Sequence, residues 1–170
     1  MSAVRIQQVR HEILPLYQHF SLRDWLQEPE LSAAHALFRH ARESIVATDT
    51  SQLLVYCAQA EVVVEVEFQV WDSDPAENGP VRADWDGGQT FLLECPSGEV
   101  FIDQPTMPAI ELGALGAGPG WYQGRVSWRD RNPYPSQPHE STLTAVPASG
   151  SNRERYQIQI WRAEGGLKSM

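Results

Sequence analysis

The stretch Glu61 to Trp71, EVVVEVEFQVW, sets Val62, Val64, Val66, Phe68 and Val70 on one parity and Glu61, Glu65, Glu67 and Gln69 on the other. Residues two apart share a face of a pleated strand. The alternation therefore predicts a half-buried antiparallel strand with one apolar face and one wet face carrying carboxylates. Five apolar side chains in a row need an opposing layer, so the strand belongs to a sheet packed against something else.

Immediately upstream, Gln52 to Ala58 (QLLVYCA) is apolar on both parities, the pattern of a strand covered on both faces. It meets the Glu61 strand through Gln59 and Ala60, which lack the Gly or Asn of a tight hairpin. Residues 52–71 are thus either a hairpin or one long strand with a bulge. Further back, Val4 to Val9 alternates weakly through Val4 and Ile6. Glu12 to Leu22 places Leu14, Leu16, Phe20 and Leu22 on one parity, with Pro15 confining that strand to an edge or a bulge. Leu31, Ala34, Leu37 and Phe38 recur at helical spacing in ELSAAHALFRHA, predicting one amphipathic helix of about three turns. A short strand over Ser44 to Thr48 and a polar turn through Asp49, Thr50 and Ser51 follow.

Downstream, residues 72–88 (DSDPAENGPVRADWDGG) have turn chemistry throughout and form an acidic loop. Phe91 to Cys95 and Glu99 to Asp103 flank Pro96, Ser97 and Gly98 as a hairpin would. Ala109 to Leu112 pairs briefly, and Gly113 to Gly120 is a turn. Trp121 to Trp128 is amphipathic, with Tyr122, Val126 and Trp128 on one face. Residues 132–152 hold Pro133, Pro135, Pro138 and Pro147 among Ser and Thr and read as an excursion without a folded element. Tyr156 to Trp161 (YQIQIW) closes the sheet with Tyr156, Ile158 and Ile160 inward, and residues 165–170 form a frayed tail. About eight strands and one helix separated by turn signals predict a mainly β fold, a jelly-roll-like antiparallel β-sandwich.

With 170 residues, 42% of them hydrophobic, residues 1–170 form one domain large enough to bury its own core. No apolar run approaches the roughly 20 residues of a membrane span, and Met1 to Arg10 lacks the apolar centre of a secretory signal. A cytoplasmic protein is expected. Cys57 and Cys95 each end an apolar run without Cys-x-x-Cys spacing, so both are expected as buried, reduced thiols.

The net charge of −9 is unevenly spread along the chain. Residues 61–103 hold eleven acids and one base, Arg82, whereas the last 67 residues carry five acids and seven bases. Nucleic-acid binding needs clustered Lys and Arg and is disfavoured. A basic protein partner is favoured.

The chemical motifs are incomplete. Asp72-x-Asp74 and Asp84-x-Asp86 hint at calcium, but the twelfth position counted from either start is Ala83 or Cys95, not the required Glu. His35 and His40 lie five apart, off a single helical face, and no zinc set emerges. Gly113, Gly116, Gly118 and Gly120 lead into a strand without a following Lys, unlike a phosphate cradle. Ser127 lacks a nucleophile-elbow context. Glu65 and Glu67 share one strand face about 6.6 Å apart, whereas glycosidase carboxylates face each other across a cleft. No catalytic residue, metal or cofactor is expected. What remains is an outer set of acids and tryptophans: Glu65, Glu67, Trp71, Asp72, Asp74, Trp85 and Asp86. Aromatics anchor and charges steer at protein interfaces, which makes this set the candidate partner-binding site.

The order of elements resembles the small bacterial competence protein J family of nuclease inhibitors. The resemblance is carried by the Tyr17-Gln18-His19-Phe20 strand, the helix leading to Ala41-Arg42-Glu43-Ser44-Ile45, the run Leu53 to Tyr56 and the Val62 to Val70 strand. Gly98-Glu99-Val100-Phe101-Ile102, the Ile110 to Leu112 pairing and the turn into Trp121-Tyr122-Gln123 continue it. The acidic loop and the Pro-rich excursion are longer than the family needs. The resemblance implies a jelly-roll-like protein that blocks a nuclease partner and has no catalytic residues. The expected function is therefore a non-catalytic inhibitor or immunity-type protein binding a basic nuclease or other toxin through the 61–103 face. The alternative is a carbohydrate- or small-ligand-binding module with Trp71, Trp85 or Trp121 as a stacking platform.

Overall fold

A computed structural model describes residues 2–75, 84–131 and 153–165. Its elements run β1 (Arg5–Ile13), β2 (His19–Asp24), α1 (Leu31–Ser44), β3 (Val46–Thr48), β4 (Gln52–Tyr56), β5 (Val64–Trp71), β6 (Gly87–Cys95), β7 (Glu99–Gln104), β8 (Met107–Ala114), β9 (Gly120–Arg129) and β10 (Arg155–Arg162). They form two five-stranded sheets, a front sheet ordered β1-β5-β10-β9-β6 and a back sheet ordered β3-β4-β2-β7-β8. The result is the expected β-sandwich with one helix. The Pro-rich stretch 132–152, part of the acidic loop and the last five residues lie outside the described residues.

The alternation at β5 is realised. Val64, Val66, Phe68 and Val70 are buried against Phe20, Leu22, Leu53, Val55 and Ile102 of the back sheet within one core. β5 is antiparallel to β1 but parallel to β10, the one parallel pair among the described strands. The central strand of the front sheet is β10, which buries Tyr156, Ile158 and Ile160 as expected.

Several local expectations are corrected. Residues 52–71 are neither a hairpin nor one bulged strand, because β4 lies in the back sheet and β5 in the front. The chain crosses between sheets over 57–63, with Glu61 in the left-handed region at φ 58°. The strand begins at Val64, which leaves Val62 43% exposed instead of inward. Pro96, Ser97 and Gly98 likewise join the sheets instead of closing a hairpin. Fully buried Asp24 accepts hydrogen bonds there from Ser97 N and Oγ, Gly98 N and Leu26 N. Residues 12–22 divide into two strands at a turn around Pro15. In β1 the inward apolar residues are Val9 and Ile13, opposite Phe68 and Val64, while Val4 and Ile6 fall on the other parity and are exposed. The acidic loop ends earlier than expected, since Gly87 and Gly88 already belong to β6.

At the β6 edge Thr50 bridges Leu93 and the Thr48 hydroxyl donates to Leu92 O, tying β6 to the back sheet. At one end, buried Glu154 accepts from Ala58 N at 2.7 Å and from the Tyr156 hydroxyl. Arg131 stands 3.5 Å from the same carboxylate and donates to Tyr56 O, which knits the end of β4 to the start of β10. Cys57 and Cys95 are free and buried.

Candidate functional site

The front sheet's outer face carries a row of Arg5, Trp71, Trp161 and Gln123 and, beside it, three polar cross-strand rows, since side chains at paired positions of neighbouring strands stand side by side. One row is Glu12, Glu65, Arg155, Arg129; the next is Arg10, Glu67, Gln157, Ser127; the third is Gln8, Gln69, Gln159, Arg125. Its floor is polar yet water-poor: Gln69, Gln157 and Ser127 are only 2%, 6% and 6% exposed.

Glu67 is the hub of this floor. Its carboxylate accepts from Arg10 Nε at 2.6 Å, from Gln157 Nε2 at 2.9 Å and from Gln69 Nε2. Gln69 Oε1 in turn accepts from Trp71 Nε1 and Gln159 Nε2, both at 3.0 Å. Burial pushes the Glu67 carboxyl up, but the hydrogen bonds from Gln157 and Arg10, the Arg10 charge and Gln69 together hold it below the ordinary carboxylate value. Glu67 therefore stays ionised at neutral pH. The same hydrogen bond and charge raise the Arg10 guanidinium.

The other expected site residues divide between two ends of this face. Glu65 lies 3.9 Å from Arg155, and Trp85 lies under the Arg129 guanidinium at 5.6 Å. Asp86 accepts from Asp130 N at the same end. At the opposite end Asp72 accepts from Val4 N at 2.8 Å, which together with the Ser73 hydroxyl holds its carboxyl low. Asp74 pairs with Arg125 at 3.5 Å, and Arg5 stands over Trp71 at 6.0 Å. Trp71 and Trp85 are both half-buried.

The acids of residues 61–103 are thus not a uniform negative field. Arg10, Arg125 and Arg155 pair with three of them, so the face is a patterned ion-pair surface. Nor does calcium-like geometry form at Asp72, Asp74 and Asp86, which cap backbone groups or pair with arginine. Among the described residues no three His, Cys, Asp or Glu side chains gather as metal ligands. No helix among them is long and apolar enough to cross a membrane.

Two depressions open on this face. One, of about 410 Å³, is lined by Glu65, Glu67, Trp85, Arg129 and Arg155 among others. The second, of about 650 Å³, is lined by Trp121, Trp161, Asp74, Gln123 and Arg162 among others. Arg125 lies 5.7 Å over the Trp161 ring. The sequence reading missed Trp161 and the arginines. Trp161 was accessible to it, because in YQIQIW it shares the outward parity of Gln157 and Gln159. The arginines carried no such signal, since their partners are far along the chain, 57 residues from Arg10 to Glu67 and 51 from Asp74 to Arg125.

No protein-family model matches the chain, and no curated protein matches it. Among solved structures, the crystal structure of ComJ, inhibitor of the DNA degrading activity of NucA, from Bacillus subtilis, matches with a TM-score of 0.61 at 12% identity. The match covers 96% of this chain and 100% of that one. The chain has the fold of ComJ. A structure described as crocagin biosynthetic gene J matches with a TM-score of 0.55 at 18% identity, over 92% of this chain and 98% of that one. At these identities the likeness is one of fold, and the family resemblance read from the order of elements holds at that level.

Proposed function

We propose that the chain is a non-catalytic, protein-binding inhibitor of the immunity type, directed at a nuclease or other toxin. The observation that carries this reading is the end-to-end likeness in fold to ComJ, an inhibitor of the DNA degrading activity of NucA. The docking surface is the front sheet's outer face, where Glu65, Glu67, Trp71, Asp72, Asp74, Trp85 and Asp86 stand. Long-range attraction to a basic partner comes from the net charge of −9, which raises the encounter rate. Register comes from the fixed pattern of ion pairs and half-buried tryptophans, because groups already held in place lose little entropy on binding. Calorimetric titration against the product of the neighbouring gene, with DNA degradation as a second readout, tests the reading. A stoichiometric complex and loss of degradation are expected, and the lack of any complex overturns it.

A second reading, a carbohydrate- or small-ligand-binding module, is favoured by the 650 Å³ depression with Trp121 and Trp161 in its wall. Among the described residues, however, none of the close ring pairs includes Trp71, Trp85 or Trp121. Trp71, Trp85 and Trp121 therefore do not stack on one another.

A further inference from the structure

The antiparallel register of β9 and β10 sets Arg129 directly opposite Arg155. Their neighbours Trp128 and Tyr156 turn inward, so both guanidinium groups stand on the outer face. Like charges at directly opposed positions, with Cβ atoms about 5 Å apart, destabilise a strand pair. The row they end begins Glu12, Glu65, but Glu12 is drawn off to Arg153 at 2.5 Å. Glu67 is already filled by Arg10, Gln69 and Gln157.

What is left for the pair is insufficient. Arg155 Nε stands 3.9 Å from Glu65 and Arg129 Nε stands 3.5 Å from Asp130, ion-pair distances without hydrogen-bond geometry. Both Nε atoms are buried and have no hydrogen-bond acceptor. A buried donor left unpaired is costly, and a charged one more so. Both arginines line the 410 Å³ depression, in which four arginines face three carboxylates, and Trp85 forms its wall under Arg129.

Two opposed, partly exposed guanidinium groups on the wall of one concave space call for acceptor oxygens between them. The planar fork of arginine matches an oxyanion with paired hydrogen bonds. We propose that this end of the depression is an oxyanion site, binding a phosphate or carboxylate group between Arg129 and Arg155. The site goes beyond the inhibitor reading and belongs to the chain on its own. It also gives the docking face a cationic recess beside the Glu67 hub, so a partner that uses it contributes an acidic group there.

The test is the thermal unfolding midpoint of the full chain at pH 7 in sodium phosphate, sodium acetate and sodium chloride at matched ionic strength. A saturable rise in phosphate or acetate beyond that in chloride is expected, and whichever anion gives it identifies the oxyanion class. Arg129→Gln and Arg155→Gln should each abolish the anion-specific rise. In chloride each should leave the midpoint unchanged or raise it, because the opposed charges are relieved. Arg23→Gln on the back sheet should keep the full rise. Arg155→Lys, which retains charge but not the fork, should weaken anion binding about tenfold by calorimetry. Equal midpoints in all three salts, or an anion-specific rise that survives both glutamine variants, overturns the site. Partner titration is independent of these measurements, so failure of the oxyanion site and failure of the inhibitor reading are separable.

Discussion

The outer faces of the two sheets solve the same problem in opposite ways. On the back sheet, outward Ser21, Arg23 and Asp103 are polar, but the apolar outward positions are covered by the chain itself. Leu37 and Ala41 of α1 pack on Ala47 and Leu54, while Trp25 stacks on Phe101 at 4.0 Å and 20°, leaving that ring 2% exposed. On the front sheet, outward positions are glutamine, glutamate, arginine and tryptophan. No described element covers them, and apart from the Arg129 and Arg155 Nε donors they largely satisfy one another. A face that is apolar must be buried for the fold to hold, because removing apolar area from water is what stabilises it. A face of mutually hydrogen-bonded polar groups is already stable, and remains available to a partner. This contrast is why the front sheet is the proposed docking surface.

The largest expected effect that would break the contrast is on stability. Leu54→Ala, beneath α1, should cost about 3 kcal/mol by lost burial and cavity formation. Gln159→Ala on the front sheet should cost less than about 1 kcal/mol. Chemical denaturation measures both, and a comparable loss at Gln159 would mean that the front face is as integral to the fold as the back.

Affinity gives the next test. Trp85→Ala should weaken partner binding by about tenfold or more, as a buried aromatic anchor does, whereas Trp25→Ala should leave affinity unchanged. The reverse result in titration would move the docking surface to the back sheet.

Glu67→Gln sharpens the picture of the hub. Losing the charge-assisted bond to Arg10 should cost about 1 kcal/mol at pH 7, after allowing for solvent screening at the exposed arginine. Because the folded carboxyl is held low, its contribution is fully present above the unfolded value of about 4.3 and fades as pH falls through the folded value. Wild type and Glu67→Gln should therefore converge in strong acid, and a difference that persists there would mean that packing, not charge, holds the hub. The smallest effect is expected at Glu12, whose side chain is 68% exposed in its pair with Arg153. Glu12→Gln should cost less than about 0.5 kcal/mol and nothing measurable in high salt.

Legibility in the sequence followed the range of the interactions. QLLVYCA, apolar on both parities, became β4, with Gln52 to Val55 all buried between the core and α1. EVVVEVEFQVW became β5 with its inner side chains as read, apart from Val62 at the crossover. The candidate residues Glu65, Glu67 and Trp71 share one strand face. The charge map along the chain misled for a physical reason: Glu65 meets Arg155 and Asp74 meets Arg125 across the sheet, so a sum over a contiguous segment is not a sum over a surface. The inter-sheet turn at Ser97 reads as a hairpin in the sequence because the turn chemistry is the same in both. What distinguishes it is Asp24, more than 70 residues away, gripping Ser97 and Gly98.

By itself the sequence determined the side-chain periodicity, and hence two layers of strands, one amphipathic helix and a polar outer face, since these depend on neighbours two to four residues apart. The tertiary structure alone decided which strands share a sheet and which charges meet. Register brings Glu67 to Gln157 and Arg129 to Arg155, and register is settled by the packing of whole sheets, not by any local run of residues.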